Sequence, residues 1–240
     1  MVAPQGRVVA AVAPCNTLVS FIIPVLDEAA GIVGLLLQLR ASFSQAQIIV
    51  VDGGSSDNSQ DLARPHCDIL LEAGKGRARQ MNAGAGVADG QYLFFLHADT
   101  FPQFEQQGLH KLLSEKPLWG FCPVRLSEQN FVLAMVQAGI NLRSRVSGIG
   151  TGDQLLFVQR QLFCSSGGFE DIPLMEDVAF SKTMRRLQRP CILPFSVCTS
   201  SRRWHDKGIV RTVLLMWGLR MAYALGVSPH RLWWYYYGRR

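Results

Sequence analysis

The sequence lacks several signals that mark well-known protein classes. Its six cysteines form no Cys-x-x-Cys pair and no repeated spacing, so we predict reduced thiols in a cytoplasmic protein. No G-x-G-x-x-G stretch follows the first predicted strand, which argues against a dinucleotide oxidoreductase. Neither a basic and aromatic array nor a zinc-ligand spacing is present, and we therefore expect no nucleic-acid partner.

Acidic residues are scarce relative to basic ones. The 240 residues contain 18 Asp and Glu against 24 Lys and Arg, which gives a formal net charge of +6 and a pI near 9.2. This balance favours anionic partners such as nucleotides, phosphorylated substrates or an anionic membrane surface. The hydrophobic content of 48% is enough for a substantial core in one large domain or two small ones.

Apolar runs that alternate with helical patterns predict an α/β fold. Residues 19–25, 47–51, 69–71 and 92–96 have the continuous apolar character of strands buried on both faces. Helical patterns follow the first three runs, and such strand-then-helix units indicate a mostly parallel sheet flanked by helices. Further strands are predicted at 119–126, 155–160 and 191–197, helices at 104–114, 130–145, 171–186 and 209–225, and a loop at 163–169.

Polar residues stand where these predicted strands end, and a parallel sheet binds its ligands at that edge. After the fourth strand, Asp99 can hold a divalent cation against phosphate oxygens, with the imidazole of His97 on the same side of the extended chain. After the third strand, glycines beside Arg77 and Arg79 at a helix start suit a diphosphate. The alternative for Asp99 is a capping role in the next turn.

Several short motifs lie at these strand ends and in the later loops. They include Pro24-x-x-x-Glu28, Val51-Asp52-Gly53-Gly54-Ser55-x-Asp57, Gly76-Arg77-Ala78-x-Gln80-Met81-Asn82, His97-Ala98-Asp99-Thr100, Gly152-Asp153-Gln154, Glu176-Asp177 and Arg202-Arg203-Trp204. Together they resemble family 2 glycosyltransferases of the GT-A fold and, more narrowly, the subgroup called radical-SAM/selenodomain-associated transferase 2. The resemblance covers residues 20–232. It implies a Rossmann-like, mixed but mostly parallel central sheet with a C-terminal helical extension.

The resemblance implies transfer of a sugar from a nucleoside diphosphate sugar of the UDP or GDP type. The acceptor would be a hydroxyl on a small or lipid-linked molecule, and the anomeric centre would be inverted. For Glu28 and Asp57, helix capping is the alternative to nucleotide binding. The implied nucleotide-binding residues are Pro24, Glu28, Asp52, Arg77, Arg79 and His97, with Asp57 as a further candidate.

The family's metal motif is Asp-x-Asp, and His97 occupies its first position here. The resemblance therefore leaves Asp99 as the metal ligand, joined by His205 if the loop of His205 folds over the site. Three roles stay open for His97: a metal ligand, a donor to ribose or phosphate, and a satisfied polar group. Oxygen-rich surroundings predict Mg²⁺ or Mn²⁺, and an imidazole ligand favours Mn²⁺.

The pair Glu176-Asp177 resembles the family's acidic pair, in which the second carboxylate is the general base. Asp177 would take the proton of the acceptor hydroxyl as that oxygen attacks the anomeric carbon of the sugar. The alternative is a pair of acids favoured near a helix N-terminus. The residues expected to contact the acceptor or the diphosphate are Asp153, Gln154, Arg203 and Trp204.

We predict a leader over residues 1–18, the GT-A domain over 19–205, and an amphipathic helix with a basic aromatic tail over 206–240. Arginines interrupt the apolar segment 209–227, so it falls short of a spanning helix. We expect this region to pack on the domain, to form a homodimer, or to contact a membrane at its inner face. Two other functions stay open: a catalytically silent nucleotide- or membrane-surface-binding protein, and a nucleotidyltransferase.

Overall fold

The computed structural model describes residues 17–128, 130–201 and 208–238. Its strands are β1 (Val19–Val25), β2 (Gln47–Asp52), β3 (Ile69–Glu72), β4 (Tyr92–Phe95), β5 (Thr100–Pro102), β6 (Trp119–Phe121), β7 (Val124–Leu126), β8 (Leu156–Gln159), β9 (Cys191–Ile192) and β10 (Val197–Thr199). Its helices are α1 (Ile32–Ser42), α2 (Ser59–Ala63), α3 (Arg77–Gly86), α4 (Gln106–Leu113), α5 (Phe131–Ser147), α6 (Arg160–Ser165), α7 (Glu176–Leu187), α8 (Ile209–Ala224) and α9 (Pro229–Tyr237). Short 3₁₀ turns span Arg64–His66 and Gly152–Gln154.

A mixed, mostly parallel sheet forms the centre of the fold. The described strands pair in the order β3-β2-β1-β4-β8-β6-β9. Only β8 runs opposite to its neighbours β4 and β6, and the other pairings are parallel. A second, three-stranded sheet has the order β5-β10-β7. The predicted α/β class and the mixed sheet are therefore confirmed.

Helices cover both faces of the main sheet, which explains why its strands are apolar throughout. In β1, Phe21 and Ile23 enter one core, whereas Ile22 enters the other. The first core is closed by Leu35, Leu36 and Leu39 of α1 and by Leu109 and Leu113 of α4. The second is closed by Met81 of α3, Phe163 of α6 and Phe180 and Met184 of α7. A smaller cluster joins Met175 and Val178 to Leu219 of α8 and Leu232 of α9.

Several predicted elements differ from the structure. The strands predicted at 119–126 and 191–197 each form two strands that belong to different sheets, because Pro123 and Pro194 interrupt them and proline cannot donate to a ladder. The predicted loop 163–169 begins inside α6. The aromatic tail contains a helix, α9, with Pro229 at its first position and a cap in which Ser228 accepts from the Arg231 N–H.

Gly84 allows α3 to pack closely on the sheet. A Cβ at this position would lie 2.6 Å from Cγ2 of Ile22 and 3.0 Å from Cγ2 of Val51. We expect Gly84→Ala to lower the free energy of unfolding by about 1–2 kcal/mol, because the extra methyl group overpacks the core. Gly34→Ala in α1 is the matched control, since its Cβ would meet nothing within 4 Å. That control should be neutral or stabilising by about 0.5–1 kcal/mol in urea unfolding, and equal losses in both variants would contradict the close approach.

Candidate active site

One cavity gathers the charged residues that follow β3 and β4 and those at the start of α7. Its volume is about 710 Å³. Its walls also include apolar side chains of α5 and α8 and the end of α9. The predicted site residues that line it are Arg77, His97, Asp99, Asp153, Glu176 and Asp177. The fold therefore brings together six side chains from four separate stretches of the chain.

The loops after β1 and β2 are tied to each other beside this edge of the sheet. The carboxylate of Asp52 accepts from the N–H groups of Gly54 and Ser55 at 2.8 and 2.9 Å and from the amide of Gln60 at 2.9 Å, and it also bonds the Ser55 hydroxyl. The main-chain N–H of Glu28 donates to Ser59 Oγ at 2.8 Å. Asp52 is fully buried, and its carboxylate accepts several hydrogen bonds from within the loop after β2 and the start of α2. Asp52 therefore stabilises the conformation of that loop.

Asp57 links the loops after β1 and β2 and is not the N-cap of a helix, because Gly31 is the N-cap of α1 and Asn58 that of α2. Its carboxylate accepts from the N–H groups of Ala29 and Ser59 at 3.0 Å each and from the Ser59 hydroxyl. The hydroxyl bond chiefly lowers the pKa of Asp57 below its usual value. Pro24 is buried in β1, in register with Val51. Pro24, Glu28 and Asp52 are not among the residues that line the cavity, and their nucleotide-binding role stays a prediction.

Two polar residues of the Gly76-to-Asn82 motif are structural. The Gln80 amide donates to the carbonyl oxygens of Val25 and Val51, at 2.8 Å each, and so joins the ends of β1 and β2 to α3. Asn82 exchanges two hydrogen bonds with the backbone of Phe169, at 2.8 and 2.9 Å. These bonds hold the start of α3 and the approach to α7 in place around the cavity.

The two arginines at the start of α3 lie in different surroundings. The side chain of Arg77 lines the cavity. Removal from water would lower the pKa of its guanidinium, but the charges of Glu176, Asp177 and Asp99 raise it overall. Arg79 instead donates from Nε to both carboxylate oxygens of Asp171, at 2.8 and 3.0 Å, and both side chains are exposed. The structure therefore groups Arg77 with the cavity and separates Arg79 from it.

His97 and Asp99 face the cavity directly after β4. The imidazole packs against Gly152, where a Cβ would lie 2.4 Å from His97 Nε2, so the loop can approach only because it carries glycine. The Asp99 carboxylate is half-buried and accepts from Thr100 Oγ1 at 3.3 Å. Within residues 17–128, 130–201 and 208–238, no three His, Cys, Asp or Glu side chains are grouped as a metal site. The predicted role of Asp99 as a metal ligand stays a prediction.

Glu176 and Asp177 begin α7 and face into the cavity. They follow Met175, whose backbone is left-handed at φ 70°, an uncommon conformation for a bulky residue. Burial, together with the neighbouring Asp177 charge, raises the pKa of Glu176 to about 7, although Arg77 opposes this. Burial also raises the pKa of Asp177, against hydrogen bonds from the N–H groups of Gly152 at 2.8 Å and Val178 at 2.7 Å. Carboxyl groups with raised pKa values in a cavity are suited to proton transfer near neutral pH.

Arg143 of α5 also lines the cavity, and the sequence did not single it out. Its Nη2 donates to Ser144 Oγ at 2.7 Å and to Gln154 Oε1 at 3.4 Å. Burial lowers the pKa of the Arg143 guanidinium, while Asp153 and Asp177 partly counteract this. The available signal was weak, an arginine near the end of a largely apolar helix that also carries Arg145.

Gln154 lies beneath the cavity instead of in its wall. It is fully buried, and its Oε1 accepts from the hydroxyl groups of Ser144 at 2.7 Å and Thr151 at 3.0 Å. Arg143 Nε and Gln154 Nε2 are buried without a partner among the described residues. Gln154 thus supports Arg143 from beneath the cavity, and its predicted contact with the acceptor or the diphosphate stays a prediction. The remaining predicted residues Arg203, Trp204 and His205 lie outside the described residues.

The part of the chain that supplies β1 to β4 and the loops at their ends matches a known family model. Residues 20–134 match Glycosyl transferase family 2. The match covers slightly less than half of the chain and ends inside α5. Of the charged and histidine side chains that line the cavity, it contains Arg77, His97 and Asp99, while Asp153 and the acidic pair at the start of α7 lie beyond it.

A curated relative matches a short part of the chain. The uncharacterized glycosyltransferase YibD of Escherichia coli (strain K12) is 34% identical over 67 residues, which is 25% of this chain and 20% of that protein. The chain therefore spans only about a fifth of the length of the relative that it matches.

Solved structures share the fold over about three quarters of the chain. The structure of residues 1–349 of S. aureus TarS has a TM-score of 0.63 at 15% identity and covers 76% of this chain and 60% of that one. The mannosyltransferase PcManGT from Pyrobaculum calidifontis, in complex with GDP-Man and Mn²⁺, has a TM-score of 0.58 at 21% identity and covers 78% and 59%. The fold is thus the one found in GT-A glycosyltransferases, as the sequence predicted.

Proposed function

We propose that this protein transfers a sugar from a nucleoside diphosphate sugar to an acceptor hydroxyl, with inversion at the anomeric carbon. The observation that carries the proposal is that Arg77, at a helix start, shares one cavity with buried Glu176 and half-buried Asp177. A cation suited to phosphate and a carboxylate suited to proton removal are the two groups that such a transfer requires. The family match and the shared fold support the same reaction class.

The donor's diphosphate would lie at the start of α3. Backbone N–H groups of the first helical turn and the guanidinium of Arg77 favour negative charge there. UDP and UDP-GlcNAc are bound in structures of TarS, and GDP-Man is bound in PcManGT. These ligands make UDP and GDP sugars the first donors to test.

The chemistry would need one proton acceptor. Asp177 would remove the acceptor hydroxyl proton at a carboxylate oxygen as the hydroxyl oxygen bonds to the anomeric carbon and the bond to the diphosphate breaks. Arg77 would hold the departing diphosphate and its growing negative charge. With its pKa near 7, Glu176 would be about half protonated at neutral pH, which keeps a second full charge away from Asp177. Arg143 would balance the charge of Asp177 and Asp153, which line the same cavity.

A divalent cation would neutralise charge on the diphosphate. The donor set at this site is small, with the Asp99 carboxylate as the main ligand and His97 beside it, and such a set suits a cation that keeps phosphate and water oxygens. Mn²⁺ is bound in the PcManGT structure. Several finer points stay predictions: the identity of the cation as Mn²⁺ or Mg²⁺, His205 as a ligand, the narrower subgroup, a hexose as the transferred sugar and a cytoplasmic location.

The start of α3 offers a matched pair of variants for donor binding. Arg77→Met should weaken binding of the preferred diphosphate about tenfold or more, because a charge-assisted contact is lost. Arg79→Met should have little effect, because it loses only an exposed ion pair with Asp171. The measurement is a thermal-shift titration with UDP, GDP, CDP and ADP, each with and without Mn²⁺, since a ligand that binds the folded state raises its melting temperature.

Two results would contradict the proposed donor site. One is equal weakening in both arginine variants, and the other is the absence of a shift with any diphosphate. The second result would favour the silent binding protein. A shift that requires Mn²⁺ and disappears in Asp99→Ala would support the cation site at Asp99.

A further inference from the structure

Helix α5 carries an apolar stripe that faces solvent. Its members follow the spacing i, i+4, i+7, i+11 and i+15, which places them on one face of the helix. The large ones among them are between 61% and 80% exposed. The stripe consists of Phe131, Met135, Ala138, Leu142 and Val146.

Helix α8 carries a second stripe with the same spacing. Its members are between 64% and 78% exposed, although they include a tryptophan and four large aliphatic side chains. This stripe consists of Val210, Leu214, Trp217 and Met221 of α8 and of Leu225, the C-cap residue of that helix. A single exposed apolar residue is ordinary, but two parallel patterns of this size mark an interaction surface.

The two stripes border the mouth of the active-site cavity. Helices α5 and α8 contact each other. Met135 of the first stripe and Leu214 and Trp217 of the second are also part of the cavity wall. The apolar surface is therefore continuous with the cavity that holds Asp177.

The charged side chains on helices α5, α8 and α9 have one sign. Arg145 on α5, Arg211 on α8 and Arg231 on α9 are exposed, and the described helices α5, α8 and α9 contain no Asp or Glu. An apolar face flanked by arginine, with exposed Trp233 and Trp234 nearby on α9, has the composition of helices that lie in a membrane interface. None of the helices in the described part of the chain combines the length and apolarity that crossing a membrane requires.

We propose that the α5 and α8 stripes dock this protein on the surface of an anionic lipid bilayer, with the mouth of the active-site cavity against the lipid. The apolar side chains enter the headgroup and acyl boundary, and the arginines contact anionic headgroups. The second copy that the sequence also allowed would need to bring carboxylates to these arginines, and the described residues of helices α5, α8 and α9 include none. The docking does not depend on sugar transfer, so it can be tested without a donor or an acceptor.

The test is co-sedimentation of the full chain with vesicles. Vesicles of equal parts phosphatidylglycerol and phosphatidylcholine should bind the protein, and those of pure phosphatidylcholine should bind it less. The double variant Leu142→Ser/Leu225→Ser should bind the anionic vesicles about tenfold more weakly, because two apolar side chains outside the cavity wall are removed. The matched control Leu37→Ser/Leu187→Ser replaces two other leucines, which are 53% and 60% exposed on α1 and α7, and should bind like the wild type.

Two further measurements distinguish loss of the docking surface from a folding defect of the leucine variants. Arg211→Gln/Arg231→Gln leaves the apolar stripes intact and should reduce binding to the anionic vesicles only. Raising the salt concentration should weaken binding of the unchanged protein. The proposal is overturned if the wild type binds neither vesicle, or if both leucine double variants bind equally. A stable dimer in solution that Leu142→Ser/Leu225→Ser dissociates would also overturn it, because a second copy would then cover the surface.

Discussion

Replacing Asp177 by Asn should lower the rate of sugar transfer by about a hundredfold or more, while the affinity for the donor changes little. The amide is nearly the same size, and its oxygen can still accept the hydrogen bond that the Gly152 N–H donates to Oδ2. What the amide cannot do is accept a proton from the acceptor hydroxyl. General-base catalysis typically contributes a factor of about 10²–10⁴, so the loss should lie in kcat.

The matched control for this variant is Asp171→Asn, which removes the exposed partner of Arg79. It should leave kcat within a small factor of the wild type, because the ion pair lies on the surface outside the cavity wall. Donor binding by thermal shift and transfer kinetics are measured for both variants. If Asp177→Asn keeps most of its kcat, Asp177 is not the base.

The positions of the strand ends could be predicted well from the sequence. Continuous apolar runs at 19–25, 47–51 and 92–96 indicated strands covered on both faces, and the two cores show why no alternation was present. Because parallel strands end at one edge, the run into His97 and Asp99 correctly pointed to the edge that borders the cavity. In residues 19–100, the hydrophobic pattern of the sequence therefore agrees with the order and burial of the strands in the sheet.

The roles of individual polar residues could not be predicted in the same way. Arg77 and Arg79 are two residues apart in one motif. Arg77 lines the cavity, whereas Arg79 forms an ion pair with Asp171, some ninety positions later in the chain. Arg143 had no motif at all, because its place in the cavity depends on how α5 packs. Such outcomes follow from long-range packing, which neither periodicity nor spacing encodes.

The predictions of single strands at 119–126 and 191–197 were wrong for a local reason. Pro123 and Pro194 each divide a predicted strand, and the two halves pair with different sheets. Proline was compatible with a strand edge in both cases, so the sequence alone did not indicate that the chain changes sheets there. The same change of sheet brings Thr199 of β10 beside Thr100 of β5, where their hydroxyl groups hydrogen-bond at 3.1 Å next to Asp99.

The acidic pair should make the folded protein less stable at alkaline than at mildly acidic pH, and Glu176→Gln should remove much of that dependence. Burial raises the pKa of Glu176 from 4.5 to about 7, so the folded protein holds this proton more tightly than the unfolded chain does. The resulting stabilisation is complete below about pH 4.5 and is lost as the pH rises through about 7. The difference between these pKa values corresponds to about 3 kcal/mol of unfolding free energy.

Glutamine resembles protonated glutamate and stays neutral. At pH 5, where most of the wild-type Glu176 is protonated in the folded state, Glu176→Gln should change the free energy of unfolding little. At pH 8 the variant should be more stable than the wild type by about 2–3 kcal/mol, because it avoids a buried negative charge beside Asp177. Urea unfolding at both pH values measures this difference.

Glu72→Gln, at the exposed end of β3, is the control. It should change the free energy of unfolding by the same amount at pH 5 and at pH 8. If Glu176→Gln changed the free energy of unfolding equally at pH 5 and pH 8, the pKa of Glu176 would not be raised in the folded protein. The catalytic interpretation of the acidic pair would then lose that support.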